Sequence, residues 1–82
     1  MRMEIIYSKS AVKAISRMDP ATKQRVKQGI EAVPGGDIKP LRGSDGTYRL
    51  RVGDWRILFE YETHGLIRIK KVAPRGGVYK GV

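Results

Sequence analysis

Two stretches of alternating apolar and polar residues, Tyr48–Val52 and Trp55–Phe59, are separated only by Gly53-Asp54. A two-residue connection forces the chain straight back along itself. Glycine in the first of the two places suits the primed turns, whose twist matches that of a strand pair. Such a turn also sets the register. Val52 faces Trp55, Leu50 faces Ile57, and Tyr48 faces Phe59. These six side chains share one apolar face, which belongs against other elements of the fold. The other face receives Arg51 beside Arg56, and Arg49 beside Leu58.

Like charges directly across a strand pair repel. Three arginines gathered on one face therefore need a reason. Either they splay into water or pair with Glu60 and Glu62, or the face serves an anionic ligand. A phosphodiester would turn the repulsion into attraction, because guanidinium groups bind phosphate oxygens in pairs.

The rest of the chain supplies the cover. Met3, Ile5 and Tyr7 alternate with Glu4, Ile6 and Ser8, a strand period, and Ile6 suggests burial on both faces at the strand's end. Ser8 or Ser10 is placed to cap a helix in which Ala11, Ala14, Ile15 and Met18 form a core-facing stripe. Asp19-Pro20 ends it and starts a second helix, with Val26, Ile30 and Val33 at helical spacing and Pro34-Gly35-Gly36 as its stop. Gly29 weakens that helix by roughly 1 kcal/mol unless it lets a neighbour pack close. Asp37 to Leu41 is expected to be a connector, followed by a turn at Gly43-Ser44-Asp45-Gly46. Strands are expected over Thr47–Val52, Trp55–Glu62 and Leu66–Ala73, the last two joined by Thr63-His64-Gly65. Alternation breaks at Lys70-Lys71, where a bulge would restore parity. The order β-α-α-β-β-β predicts an α+β fold, an antiparallel-rich sheet with an N-terminal helix hairpin on one face.

With 82 residues, one domain spanning 1–82 is expected. The chain carries 17 Lys+Arg against 8 Asp+Glu, a net charge of +9, yet 40% of its residues are hydrophobic, too many for a disordered basic tail. Residues 39–82 hold 10 basic and 4 acidic side chains, so the excess lies mainly in the hairpin half. A small folded domain with this balance usually meets a polyanion, most often nucleic acid. No cysteine is present, which excludes disulfides, Cys-based zinc sites and thiol nucleophiles. Apolar runs are too short for a membrane span, and Met1-Arg2-Met3-Glu4 leads into a strand pattern rather than a signal peptide, so a cytoplasmic location is expected.

Several chemistries are missing. His64 is the one histidine and sits in an expected turn, which removes a two-histidine ribonuclease mechanism. The aspartates are scattered over caps and turns, unlike a two-metal site. No phosphate-binding GxxxxGK[ST] loop occurs. If the chain cuts RNA, it must do so without a metal or small-molecule cofactor. Arginines would then offset phosphate charge, and a tyrosine or the ribose itself would carry the proton chemistry. The segment Val72-Ala73-Pro74-Arg75-Gly76-Gly77-Val78-Tyr79-Lys80 is suited to this, since its loop could curl back over the arginine face. Adjacent positive charge favours an ionised phenol, so Tyr79 near Arg51, Arg56 and Arg75 would be a candidate general base.

Three segments together resemble the RelE/ParE superfamily of type II toxin–antitoxin toxins. They are Lys39-Pro40-Leu41-Arg42-Gly43, Tyr48 through Glu60, and Ala73-Pro74-Arg75-Gly76-Gly77-Val78-Tyr79-Lys80. Tyr48–Glu60 is the most specific of the three, and the likeness is closer to the RelE branch. The resemblance implies a ribosome-dependent mRNA interferase that cuts mRNA in the ribosomal A site, with a cognate antitoxin as partner. It implies Arg49 and Arg51 as the hairpin basic residues, Arg56 as the arginine after the turn, Arg75 at the leaving group and Tyr79 at the 2′-hydroxyl. Lys39, Arg42 and Lys80 would add contacts to RNA. The hairpin positions are often lysines in the family. Arginine does not readily give up a proton, which favours Tyr79 over the hairpin as base. The alternatives are a ParE-type toxin that poisons DNA gyrase without chemistry, and a basic RNA-binding module without toxicity.

Overall fold

The computed structural model describes residues 4–43, 45–63 and 65–74. Its elements are β1 (Glu4–Tyr7), α1 (Lys9–Ser16), α2 (Pro20–Glu31), β2 (Asp37–Pro40), β3 (Thr47–Val52), β4 (Trp55–Thr63) and β5 (Leu66–Pro74). The five strands form one mixed sheet in the order β1-β5-β4-β3-β2, parallel between β1 and β5 and antiparallel elsewhere.

Each helix starts where a side chain satisfies its free N–H groups. The Ser8 hydroxyl accepts from the Ala11 N–H at 3.1 Å, and the Asp19 carboxylate accepts from the Thr22 N–H at 3.1 Å, ahead of Pro20. Ala11 and Ile15 of α1 with Met18 just after it, and Val26 and Ile30 of α2 with Val33 just after it, meet Leu50, Ile57, Phe59, Ile67, Ile69 and Val72 in one core. Phe59, Ile30, Leu50, Ile57, Ile67, Ile69 and Val26 are the largest fully buried side chains. Burial of such a side chain contributes about 1.5–3 kcal/mol. Both helices thus cover one face of the sheet and leave the other open. At the edge of the covered face Tyr48 and Tyr61 stand with ring centres 5.3 Å apart, edge to face, both against Phe59.

The β3–β4 hairpin has the register expected from its turn, with Val52 opposite Trp55, Leu50 opposite Ile57 and Tyr48 opposite Phe59. Gly53 makes the reversal at φ +58, a region that favours glycine. The expected bulge is also present. Leu58 pairs with Lys71 and Phe59 with Ile69, so Lys70 is the extra residue. Without it, Val72 and Ile69 would point to opposite faces. The Lys70 carbonyl accepts from the hydroxyls of Ser8 at 2.8 Å and Ser10 at 3.2 Å, which ties the start of α1 to the bulge.

Two expectations are corrected. Asp37–Pro40 is an edge strand, not a connector: it pairs with β3, and the Leu41 N–H extends the ladder to the Thr47 carbonyl at 2.9 Å. Proline is tolerated there because an edge strand has one side without a partner. Ile6 is 40% exposed rather than buried on both faces, because β1 lies at the other edge and the helices cover only the face carrying Ile5 and Tyr7. No helix among the described residues is long and apolar enough to cross a membrane.

Candidate nucleic-acid interface

The open face is organised as rows running across the strands. Strand pairing aligns Asp37, Arg51, Arg56 and Ala73 in one row. The next row holds Lys39, Arg49, Leu58 and Lys71. A third holds Thr47, Glu60, Arg68 and Ile6. Basic side chains dominate the two rows nearest the Gly53 turn.

The acids of this sheet face do not neutralise the hairpin arginines in the way the sequence left open. Glu60 accepts from the Thr47 hydroxyl at 3.2 Å and pairs with Lys70 at 3.3 Å. Glu62 pairs with Arg68. Arg49 takes Asp37 instead, at 3.6 Å on the diagonal between the two rows, and its side chain is only 13% exposed. The Arg56 guanidinium lies back along its own turn, donating to the carbonyls of Gly53 at 3.2 Å and Trp55 at 3.3 Å. Arg51 is exposed and has no side-chain partner among the described residues. Of Arg49, Arg51 and Arg56, which share this face, Arg49 alone has a carboxylate partner among the described residues. Each guanidinium carries five N–H donors, so donors remain for phosphate oxygens.

Leu58 adds an unexpected element. It lies on this basic face, between Arg49 and Lys71 in its row, yet is 2% exposed. Low-dielectric surroundings strengthen charge interactions made beside it.

Of the other residues singled out in the sequence, Lys39 is exposed and adjoins Arg49 in the same row. Arg42 is exposed just beyond Leu41, at the Thr47 end of β3, away from the arginine rows at the Gly53 end. Arg75, Tyr79 and Lys80 lie outside the described residues, as does His64. The last described residues, Ala73 and Pro74, pair with Arg56 and Trp55, beside the arginines. Sequence reasoning missed Asp37, the partner that holds Arg49. Its signal was the polar–apolar–polar run Asp37-Ile38-Lys39, a short strand period read as connector.

Comparison with known proteins places this arrangement among relatives. The family described as "ParE toxin of type II toxin-antitoxin system, parDE" matches residues 5–79. The RelE1 protein of Methanocaldococcus jannaschii is 30% identical over 88 residues, covering 98% of each chain. Toxin RelE3 of the same organism is 28% identical over 85 residues, covering 94% of this chain and 96% of that one. Among solved structures, the RelE–RelB complex of Pyrococcus horikoshii matches with a TM-score of 0.72 at 28% identity, covering 94% of this chain and 99% of that one. The RelB–RelE complex of Methanococcus jannaschii matches at 0.73 and 27%, covering 90% and 94%. The match of the family over residues 5–79, together with the relative that is 30% identical over nearly the whole chain, shows that the chain belongs to the RelE/ParE superfamily of type II toxin–antitoxin toxins.

Proposed function

We propose that this toxin is a ribosome-dependent endoribonuclease that cuts mRNA in the ribosomal A site without a metal ion. In the reaction the 2′-oxygen bonds to the adjacent phosphorus and the bond to the 5′-oxygen breaks, leaving a 2′,3′-cyclic phosphate and a 5′-hydroxyl. The observation that carries this reading is the direct opposition of Arg51 and Arg56 on an open face whose Glu60 and Glu62 are engaged elsewhere. Such an arrangement is unfavourable in isolation and favourable around a phosphodiester.

In this reading Arg49, Arg51 and Arg56 bind the non-bridging oxygens, where negative charge accumulates in the pentacoordinate transition state. A preorganised donor at such a position contributes about 3–4 kcal/mol. Tyr79, as phenolate, takes the 2′-hydroxyl proton, and Arg75 steadies the departing 5′-oxygen, which gains its proton from solvent. General base action contributes roughly 10²–10⁴ in rate. Lys39, Arg42 and Lys80 hold the RNA backbone. The partner is a cognate antitoxin with an acidic or amphipathic segment, a reading supported by the structural relatives, which are RelB–RelE complexes.

The test is mapping of mRNA 5′ ends in a translating extract with wild type, Arg56→Ala and Tyr79→Phe. Cleavage confined to wild type is expected, and equal cleavage by all three removes these residues from the mechanism. A second reading, poisoning of DNA gyrase through a protein contact, is favoured by the name of the matching family. DNA breaks and an SOS response with intact mRNA would decide for it.

A further inference from the structure

Beside the β3–β4 turn, on the helix side, lies a cleft of about 230 Å³ between α2 and the hairpin tip. Its apolar walls are Val26, Val52 and the half-buried Trp55, and its charged borders are Arg25 and Asp54. Arg25 and Asp54 carry opposite charges on one cleft, yet neither makes a side-chain hydrogen bond or ion pair among the described residues. An Arg25 guanidinium nitrogen stands 3.1 Å from the point a β-carbon on Gly53 would occupy. From the other side of the turn, Arg56 donates to the Gly53 carbonyl at 3.2 Å and the Trp55 carbonyl at 3.3 Å. The hairpin tip is thus bracketed by two guanidinium groups, one on the arginine rows and one in the cleft.

We propose that this cleft is a nucleobase subsite, which takes one unpaired base of a single-stranded RNA whose phosphates lie on the arginine rows. The proposal rests on the reading of that face as RNA-binding. Trp55 and Arg25 offer an indole face and a planar cation for stacking. Asp54 accepts from a base N–H while Arg25 donates to a base oxygen or ring nitrogen, a pairing that reads an edge bearing both. A further phosphate is a poor occupant, because the Asp54 carboxylate would repel it. The volume is below the about 300–1,000 Å³ of pockets for drug-sized ligands and suits a single ring system.

Trp55 is the chain's one tryptophan and lines the cleft, so tryptophan fluorescence comes from this one place. The experiment titrates the full chain with a short 2′-O-methyl RNA, which cannot be cleaved, and with an abasic phosphodiester of equal length. Anisotropy of a labelled copy of the RNA follows total binding. The RNA is expected to quench Trp55 and the abasic strand to leave it unchanged. Loss of stacking in Arg25→Ala and Arg25→Lys is expected to weaken binding about 5-fold or more. Lys13→Ala, which removes an equal charge from α1, should fall short of this. Equal quenching by the abasic strand, no quenching by RNA, or equal effects of Arg25→Lys and Lys13→Ala would each overturn the subsite. Cleavage of mRNA with Trp55 unaffected would sink the subsite and leave the nuclease standing. Base-dependent quenching without cleavage would do the reverse.

Discussion

Gly29 in α2 admits the Val52 side chain so closely that a β-carbon at position 29 would stand 2.7 Å from Val52 Cγ2. In an open helix, replacing glycine with alanine gains about 1 kcal/mol. Here overpacking costs typically about 1–3 kcal/mol and outweighs the gain. Gly29→Ala is therefore expected to lower Tm in the wild-type background. In a Val52→Ala background, where the space is free, the same change is expected to raise it. Thermal unfolding of the four proteins checks this reversal of sign, and a stabilising Gly29→Ala in wild type would contradict it.

Arg51 faces Arg56 directly across the hairpin and has no side-chain partner among the described residues. Removing its charge relieves repulsion of about 0.2–1 kcal/mol. Arg51→Gln is expected to be slightly more stable than wild type in denaturant while losing roughly 10²–10³ in mRNA cleavage. A variant that loses stability and activity together would point to a structural role instead.

The Asp37–Arg49 pair joins an edge strand to the arginine rows, and the Asp37 side chain is 46% exposed. With that exposure its contribution to stability is screened to about 1 kcal/mol or less. Asp37→Asn removes the carboxylate that offsets the arginines. Oligonucleotide binding is expected to tighten at low salt and to depend more steeply on salt, while cleavage slows because Arg49 is no longer oriented. Unchanged cleavage alongside tighter binding would show that orientation of Arg49 is immaterial.

Ser8 both caps α1 and donates to the Lys70 carbonyl at the bulge, at 2.8 Å. Ser10 donates to the same carbonyl at 3.2 Å and meets the Ser8 hydroxyl at 3.2 Å, but it caps no helix N–H. Loss of a cap costs about 0.5–2 kcal/mol and a neutral hydrogen bond about 0.5–1.5. Ser8→Ala is expected to destabilise the fold by about 1–3 kcal/mol and clearly more than Ser10→Ala, as read by urea unfolding.

Asp19 is held below its ordinary carboxylate range, first by the Thr22 hydroxyl at 2.7 Å and then by the Thr22 N–H. A lowered folded-state pKa stabilises above the unfolded value of about 3.9. That stabilisation is lost as pH falls through the folded value. In Asp19→Asn, whose amide oxygen still accepts from the N–H, the fall in stability below about pH 4 should be shallower. Identical acid limbs for the two proteins would remove Asp19 from the acid response.

The hairpin, its register and the bulge were legible because each depends on local rules. A two-residue turn leaves one register, and a parity break at Lys70-Lys71 has one simple repair. Asp19-Pro20 was legible as a cap for the same reason, and Ser8 as one of two candidates beside Ser10. β2 escaped because four residues with one apolar side chain, Ile38, carry little periodic signal. With it escaped the Asp37–Arg49 pair, which exists only once β2 lies beside β3. Ile6 was misread because adjacent isoleucines look like a two-faced strand, whereas burial is decided by what covers each face. The approach of Arg25 to Gly53 joins residues far apart in sequence, which no local pattern announces.

β1 runs parallel to β5, with Glu4 beside Leu66 and Tyr7 beside Ile69. β1 therefore cannot complete its ladder until β5, at the far end of the described residues, is in place. Closing so long a loop is slow, and until then the sheet has an unfilled edge.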